Sequence, residues 1–144
     1  MLRDPSLIPL SHQHHNALAL CVLIRRALAD PSPDLAGCAR RVTDRYELEL
    51  VNHFEIEEQV VFPLCGASPL IAELLAEHRA IEALVAEIGA TPTARALEQF
   101  CGLLTAHIRR EERELFESIQ RALPRETLDR AGLEIDRRAV RICL

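Results

Sequence analysis

The chain has 144 residues, which fits one domain, and 49% of them are hydrophobic, enough for an extensive core. Aromatic residues make up only 3% while Ala and Leu are abundant, a composition that favours helices over sheets. The net charge of −5 and the lack of a long apolar run argue against a nucleic-acid partner and against a membrane span.

Proline and glycine divide the chain into four long helical segments. With Ser11 as the expected N-cap of the first, the predicted helices cover about residues 11–29, 34–64, 70–88 and 93–123. Short loops between long helices make neighbours antiparallel, so we expect an all-α, up-down-up-down four-helix bundle over residues 1–124. Residues 125–144 are expected to form a short helical tail that packs on the bundle or on a second copy.

The cysteines are odd in number and form no CxxC pair, so the sequence predicts free thiols rather than a disulfide framework. Most have apolar neighbours and are expected to be small core residues: Cys21, Cys38, Cys65, Cys101 and Cys143. Because the N-terminus also lacks the features of a secretory signal, we expect a cytoplasmic protein.

The inner faces predicted for the last three long helices are apolar except at one His and at the Glu four residues later. That Glu lies one turn along the same face, so both side chains point inward. The pairs are His53 with Glu57, His78 with Glu82, and His107 with Glu111. The pattern HxxxEExxxF occurs at both 53–62 and 107–116, which predicts two equivalent half-sites facing each other across the bundle.

Buried carboxylates of this kind require a compensating cation. An unpaired carboxylate in a protein interior costs several kcal/mol, and the predicted stripes contain no Lys or Arg. A metal ion between imidazoles and carboxylates makes the burial of both groups favourable. A set of nitrogen and oxygen ligands without cysteine favours iron, with manganese or zinc as competitors. Two alternatives stay open: a metal-free interaction domain whose carboxylates meet arginines from other faces, and a zinc-bound bundle.

The first helix offers three candidate imidazoles. His15 is the predicted ligand because it leads an apolar stripe through Leu18, Ala19 and Val22, and His14 is the second choice. His12 is expected either to contact a ligand from outside or to lie at the rim of the site. The complete predicted ligand set is His15, His53, Glu57, His78, His107 and Glu111. Six ligands are too many for one tetrahedral zinc and suit two metals bridged by carboxylates. No catalytic residue is assigned.

These motifs resemble the haemerythrin-like (HHE cation-binding) domain family. The resemblance rests on the HH of residues 14–15, the HxxxE of 53–57, the EH of 77–78 and the HxxxE of 107–111, and it covers about residues 11–122. It implies two iron ions with terminal His ligands, bridged by Glu57, Glu111 and an oxo or hydroxo group.

One departure from the oxygen-carrying members concerns the third helix. The carriers have a second His one turn after the first, where this chain has Glu82, and their fourth-helix acid has the spacing of Glu112. The set of four His and two carboxylates is more similar to a bacterial branch implicated in nitrosative stress and repair of iron–sulfur centres. The resemblance therefore implies a protein that binds O2, NO or iron itself, rather than a dedicated enzyme. It leaves Glu82 open as a ligand, a proton relay or a partner of an imidazole.

Overall fold

The structure is a computed structural model that describes residues 1–142, and these residues form helices joined by short loops, without a strand. Helix α1 is Ile8–Leu28, preceded by a 3-10 turn at Pro5–Leu7; α2 is the continuous stretch 35–65; α3 is Pro69–Ala90; α4 is the continuous stretch 94–122; and α5 is Arg125–Arg138. The all-α prediction is confirmed. Cys143 lies outside the described residues.

The chain enters α1 earlier than predicted. The Asp4 carboxylate accepts a hydrogen bond from the Ser6 backbone N–H at 3.0 Å, and Pro5 occupies the first position of the turn. The prediction of Ser11 as N-cap was wrong, because this upstream Asp-Pro pair is the stronger start signal. Ser11 lies inside α1 and donates its hydroxyl to Glu112 at 2.8 Å.

The other helix starts follow the sequence signals. Asp34 caps α2 by accepting from the Gly37 N–H at 2.9 Å, and Thr93 caps α4 by accepting from the Ala96 N–H at 3.1 Å. Between α2 and α3 the chain turns at Gly66, whose φ of +63° is a conformation that glycine adopts without strain. Within residues 1–142 it is the one residue with positive φ.

Two apolar clusters fill the interior, and buried polar residues separate them along each long helix. One cluster includes Ala17, Phe54, Ile81 and Ile108, and the other includes Leu10, Val61, Leu74 and Leu115. Helices α1 and α3 pass from the second cluster to the first, whereas α2 and α4 pass from the first to the second. The polar residues between the clusters are therefore brought to one level of the molecule.

Helix α5 packs on the N-terminal turn and on α2, burying Leu128, Ala131 and Ile135. Gly132 allows the close approach, since a Cβ atom there would lie 2.7 Å from the Ser6 Cβ. Helix α5 thus packs on its own chain.

The thiols behave largely as predicted. Cys21, Cys38 and Cys101 are buried, Cys65 is half-buried, and all four are free. Over residues 1–142 no helix is both long and apolar enough to cross a membrane.

Candidate metal centre

Four imidazoles and two carboxylates meet between the two apolar clusters. Helices α1 and α3 each contribute one imidazole, and α2 and α4 each contribute an imidazole and a carboxylate. Each of the six residues is at most 3% exposed: His14, His53, Glu57, His78, His107 and Glu111. Charged side chains in so dry an interior are stable only when something compensates their charge.

A π turn begins at each of the two carboxylates. The Phe62 N–H donates to the Glu57 carbonyl, and the Phe116 N–H donates to the Glu111 carbonyl. The extra residue in the turn shifts the helical phase, so both the fourth and the fifth residue after each Glu are buried. The two HxxxEExxxF segments therefore share a backbone distortion as well as a sequence, and π turns inside α-helices are frequent at functional sites.

The ligand atoms form two groups that share both carboxylates. One group joins His14 and His53 to Glu57 and Glu111, the other joins His78 and His107 to the same pair, and each group lies within 4.8 Å. In the first group the His53 Nε2 is 3.0 Å from a Glu57 oxygen, and in the second group the His107 Nε2 is 2.5 Å from a Glu111 oxygen. This arrangement fits one cation at each of two neighbouring points.

The inward-facing polar atoms of this cluster lack hydrogen-bond partners. Among residues 1–142, the Nε2 atoms of the four imidazoles and all four oxygens of Glu57 and Glu111 are buried without a hydrogen bond. Each such atom costs about 1–3 kcal/mol, so together they would consume most or all of the ~5–15 kcal/mol that stabilises an ordinary domain. Cations between the imidazoles and the carboxylates would satisfy all of these atoms, so the side chains fit a metal.

An outer oxygen atom orients each imidazole. The Nδ1 atoms lie 2.7–2.9 Å from these acceptors: Glu112 for His14, Gln13 for His53, Glu58 for His78 and Glu77 for His107. A neutral ring that donates from Nδ1 keeps its lone pair on Nε2, which here faces the carboxylates. Metals bind such lone pairs, and an outer acceptor of this kind accompanies most His ligands.

The three outer carboxylates are themselves paired with arginines: Arg3 with Glu112, Arg79 with Glu58, and Arg110 with Glu77. In the described part of the chain no arginine reaches Glu57 or Glu111. The arginines that the metal-free alternative requires therefore neutralise an outer ring of acids and leave the inner carboxylates without a cation.

Burial and charge set the protonation of the cluster. Burial lowers the pKa of His53, and it lowers that of His107 to about 4, so both rings favour the neutral form at pH 7. Burial by itself would raise the pKa of Glu57, but the facing imidazoles of His53 and His78 hold it well below its usual value. Burial would lower the pKa of His78 as well, but its contacts with Glu57 and Glu58 raise it instead. A cation bound by the ionised Glu57 carboxylate would displace the proton that His78 otherwise holds.

Phenyl rings close the cluster off from water. The Phe54 ring stacks on His78 with a centroid distance of 3.9 Å, Phe62 lies 5.4 Å from the same imidazole, and Phe116 lies 5.5 Å from His14. These contacts hold the imidazole planes and surround the cluster with apolar groups.

A comparison with protein families matches residues 9–119 to the Hemerythrin HHE cation binding domain. The chain belongs to this family. The match contains all six clustered residues and confirms the resemblance read from the sequence. No curated protein and no solved structure gives a significant match.

Within this hemerythrin domain the first-helix imidazole of the cluster is His14. His15 is exposed, and with His12 it lines a surface cavity of about 240 Å³. The prediction that His15 faces the core was wrong, because the inner face of α1 follows another stripe: Leu10, His14, Ala17, Cys21 and Ile24, each at most 3% exposed. Val22, which belongs to the predicted stripe, is 49% exposed.

Glu82 does not point into the hemerythrin centre, contrary to its predicted place on the inner face of α3. Its side chain is half-buried and accepts from Arg79 at 3.2 Å, while Ile81 and Val85 continue the inner face. Helix α3 therefore contributes one imidazole and no carboxylate to the cluster.

The outer acceptors follow a cross-helix pattern that the sequence analysis did not detect. Gln13 and Glu77 each directly precede a clustered His on their own helix, yet each accepts from the imidazole of a neighbouring helix, at His53 and His107 respectively. The dipeptides Gln13-His14 and Glu77-His78 contain the signal, but the helix on which each acceptor finds its imidazole depends on packing.

Proposed function

We propose that the chain holds a pair of non-haem iron ions in an up-down-up-down four-helix bundle. The alternating order in which α1 to α4 pass the two apolar clusters supports this topology. In the proposal His14 and His53 bind one ion, His78 and His107 bind the other, and the two glutamates bridge them together with an oxo or hydroxo group.

The observation that carries the proposal is the set of buried, unpartnered Nε2 and carboxylate oxygen atoms in residues 1–142, divided between two groups. Each group contains two imidazoles and shares two carboxylates, a donor set that suits iron better than a structural zinc site. A metal-free interaction domain would leave these atoms unsatisfied, so we do not favour it.

We further propose that the bound ligand is a diatomic gas, O2 or NO. The iron pair, when bound, would supply open coordination positions and electrons to the gas. Each group offers four protein side chains, fewer than the roughly six positions that iron fills, and Glu82 adds none. The phenyl rings and the near-complete burial of the cluster favour a very small ligand over larger substrates.

The imidazoles support gas binding rather than a dedicated enzymatic reaction. Every Nδ1 of the cluster is committed to an outer oxygen, and every Nε2 faces the proposed metals. The four clustered imidazoles are thus held as ligands, and none of these four is free to transfer protons to a substrate.

Metal analysis tests the iron pair. Protein produced with iron should contain about two iron ions per chain and absorb in the near-ultraviolet. Because Glu57 belongs to both groups, Glu57→Ala should lose both ions. The adjacent Glu58→Ala removes the outer acceptor of His78 and the partner of Arg79 but none of the clustered side chains, so it should retain most of the iron. One zinc ion per chain, or equal loss in the two variants, would contradict the proposal.

Gas reactivity is tested on the reduced, iron-loaded protein. Nitric oxide should change the absorption spectrum under anaerobic conditions, and air should oxidise the protein in a manner that argon does not reverse. The Glu82→His variant should behave like the parent, because the side chain at this position contacts Arg79 outside the centre. Repeated reversible cycling between air and argon would show that the protein is an oxygen carrier instead.

A further inference from the structure

His53 differs from the other clustered imidazoles in its outer partner. Its Nδ1 lies 2.9 Å from an amide oxygen, that of Gln13, whereas the other three face carboxylates. Gln13 is 3% exposed, and its amide nitrogen donates to the Asn52 side-chain oxygen at 3.0 Å and to the Val140 carbonyl at 3.2 Å. Gln13 thus connects His53 to the segment that follows α5.

The backbone of that segment determines the direction of each hydrogen bond. The Val140 carbonyl can only accept, so the end of the Gln13 amide that faces it must be the NH2 group. The Val140 N–H can only donate, which it does to the Asn52 oxygen at 3.0 Å, and the Arg138 carbonyl accepts from the Asn52 nitrogen at 3.0 Å. Each amide therefore has a single orientation, and Gln13 presents its oxygen to His53.

This orientation selects the tautomer of His53. Since the Gln13 oxygen can only accept, the proton of the neutral ring sits on Nδ1, and Nε2 keeps its lone pair towards Glu57. A reversed Gln13 amide would offer an N–H to the ring, move the proton to Nε2 and remove the lone pair that binds a metal. Backbone groups 86 and 88 residues along the chain from Asn52 thus prepare a ligand in the core.

The segment is anchored by α5 and lies between Gln13 and solvent. The Arg138 guanidinium donates to the Gln59 side-chain oxygen at 2.6 Å, and the Ala139 N–H donates to the carbonyl of buried Ile135 at 2.8 Å. On its other side, the surface cavity of about 240 Å³ is lined by both Gln13 and Val140. If residues 138–140 were displaced, water from this cavity would compete for the Gln13 amide and its orientation would no longer be forced.

We propose that residues 138–140 form a positioning segment that acts through Asn52 and Gln13 to hold His53 ready for metal. The proposal rests on the function proposed above and adds an asymmetry to it. A carboxylate partner makes an imidazole a stronger donor than a neutral amide partner does. The cation held by His14 and His53 is therefore bound more weakly than the one held by His78 and His107.

The rate of iron release to a chelator tests the segment in the intact, iron-loaded protein. The parent should release its iron in two phases. Asn52→Ala and a chain ending at Arg137 should accelerate the first phase about 10- to 100-fold, the usual effect of losing an outer partner, and leave the second unchanged. Matched controls are Asn16→Ala, whose amide donates to Glu49 instead, and a chain ending at Arg141, which keeps Arg138 and Val140.

Two results would overturn the proposal. The first is iron release at the parental rate in both the Asn52→Ala variant and the chain ending at Arg137. The second is equal acceleration of both phases, because this would indicate general loosening of the bundle rather than an effect on one half of the centre.

Nitrogen NMR of the imidazoles in metal-free protein separates this proposal from the proposed function. If the protein binds no iron at all, the function fails, yet the tautomer of His53 is still measurable. The parent should carry the His53 proton on Nδ1, and Asn52→Ala should give a mixture of tautomers. An unchanged tautomer in a folded Asn52→Ala variant would refute the role of the segment.

Discussion

Replacing His14 by Ala, with His15→Ala as its matched control, distinguishes the buried imidazole from its exposed neighbour. The two residues are adjacent in sequence, but His14 is 3% exposed and belongs to one of the two ligand groups, whereas His15 lies at the surface. The variants therefore remove the same chemical group from opposite sides of α1.

The expected loss follows from the number of ligands. Four-ligand protein sites bind zinc with about 10–16 kcal/mol, so one of four side chains contributes roughly 3 kcal/mol. At about 1.4 kcal/mol per factor of ten, His14→Ala should weaken one metal position on the order of a hundredfold. The second position keeps its own four side chains, so the iron content should fall from about two ions per chain to about one.

The assay is iron and protein quantification after gel filtration in a buffer with a weak chelator, together with circular dichroism as a check on folding. His15→Ala should retain the parental iron content and the near-ultraviolet absorption. Iron loss in His15→Ala with full retention in His14→Ala would refute the assignment of the inner face of α1.

Three further predictions concern stability. Removing the metals should lower the thermal unfolding temperature by about 10 °C, because the buried carboxylates lose their cations, and an unchanged temperature by calorimetry would argue against occupied metal sites. A hydrogen bond from Arg125 holds the pKa of Asp4 well below its usual value. The ionised Asp4 carboxylate therefore stabilises the fold above about pH 4, and this stabilisation is lost as the pH falls further. Asp4→Asn should therefore lower the free energy of unfolding by about 1 kcal/mol at pH 7 and by less at pH 3, whereas equal losses in urea titrations at both pH values would contradict this reasoning. Gly132→Ala should cost about 1–3 kcal/mol in the same titration, since the new Cβ would meet the Ser6 Cβ at 2.7 Å. Gly102→Ala is its control and should be neutral or stabilising, because its nearest neighbour is 3.8 Å away, and equal effects of the two substitutions would show that the contact with Ser6 is unimportant.

The sequence by itself determined the helical class and most of the clustered residues. On α2 and α4 the apolar stripe is broken only by a His and by the Glu one turn later, and a helix has one face that satisfies such a pattern. The positions of His53, Glu57, His107 and Glu111 in the core could therefore be predicted from local periodicity. The starts of α2 near residue 34 and of α4 near residue 93 are equally local and were predicted from the proline and glycine punctuation, and the structure shows that Asp34 and Thr93 cap them.

On α1 local periodicity was ambiguous, and packing decided the outcome. Both His14 and His15 lead plausible stripes, but the one containing Leu10 and Ile24 buries more apolar surface against the other helices. The preference depends on the neighbours that each face meets, which the sequence of a single helix does not contain.

The outer partners were decided by tertiary structure alone. Gln13 and Glu77 orient imidazoles on neighbouring helices, and the backbone of residues 138–140 reaches Asn52 across 86 to 88 residues of chain. A hydrogen bond between helices depends on their relative rotation and register to within about 1 Å, and these are set by the packing of the whole core. Helical periodicity therefore identified most of the side chains that point inward, whereas the assembled helices decided between His14 and His15 and determined the partners of each imidazole.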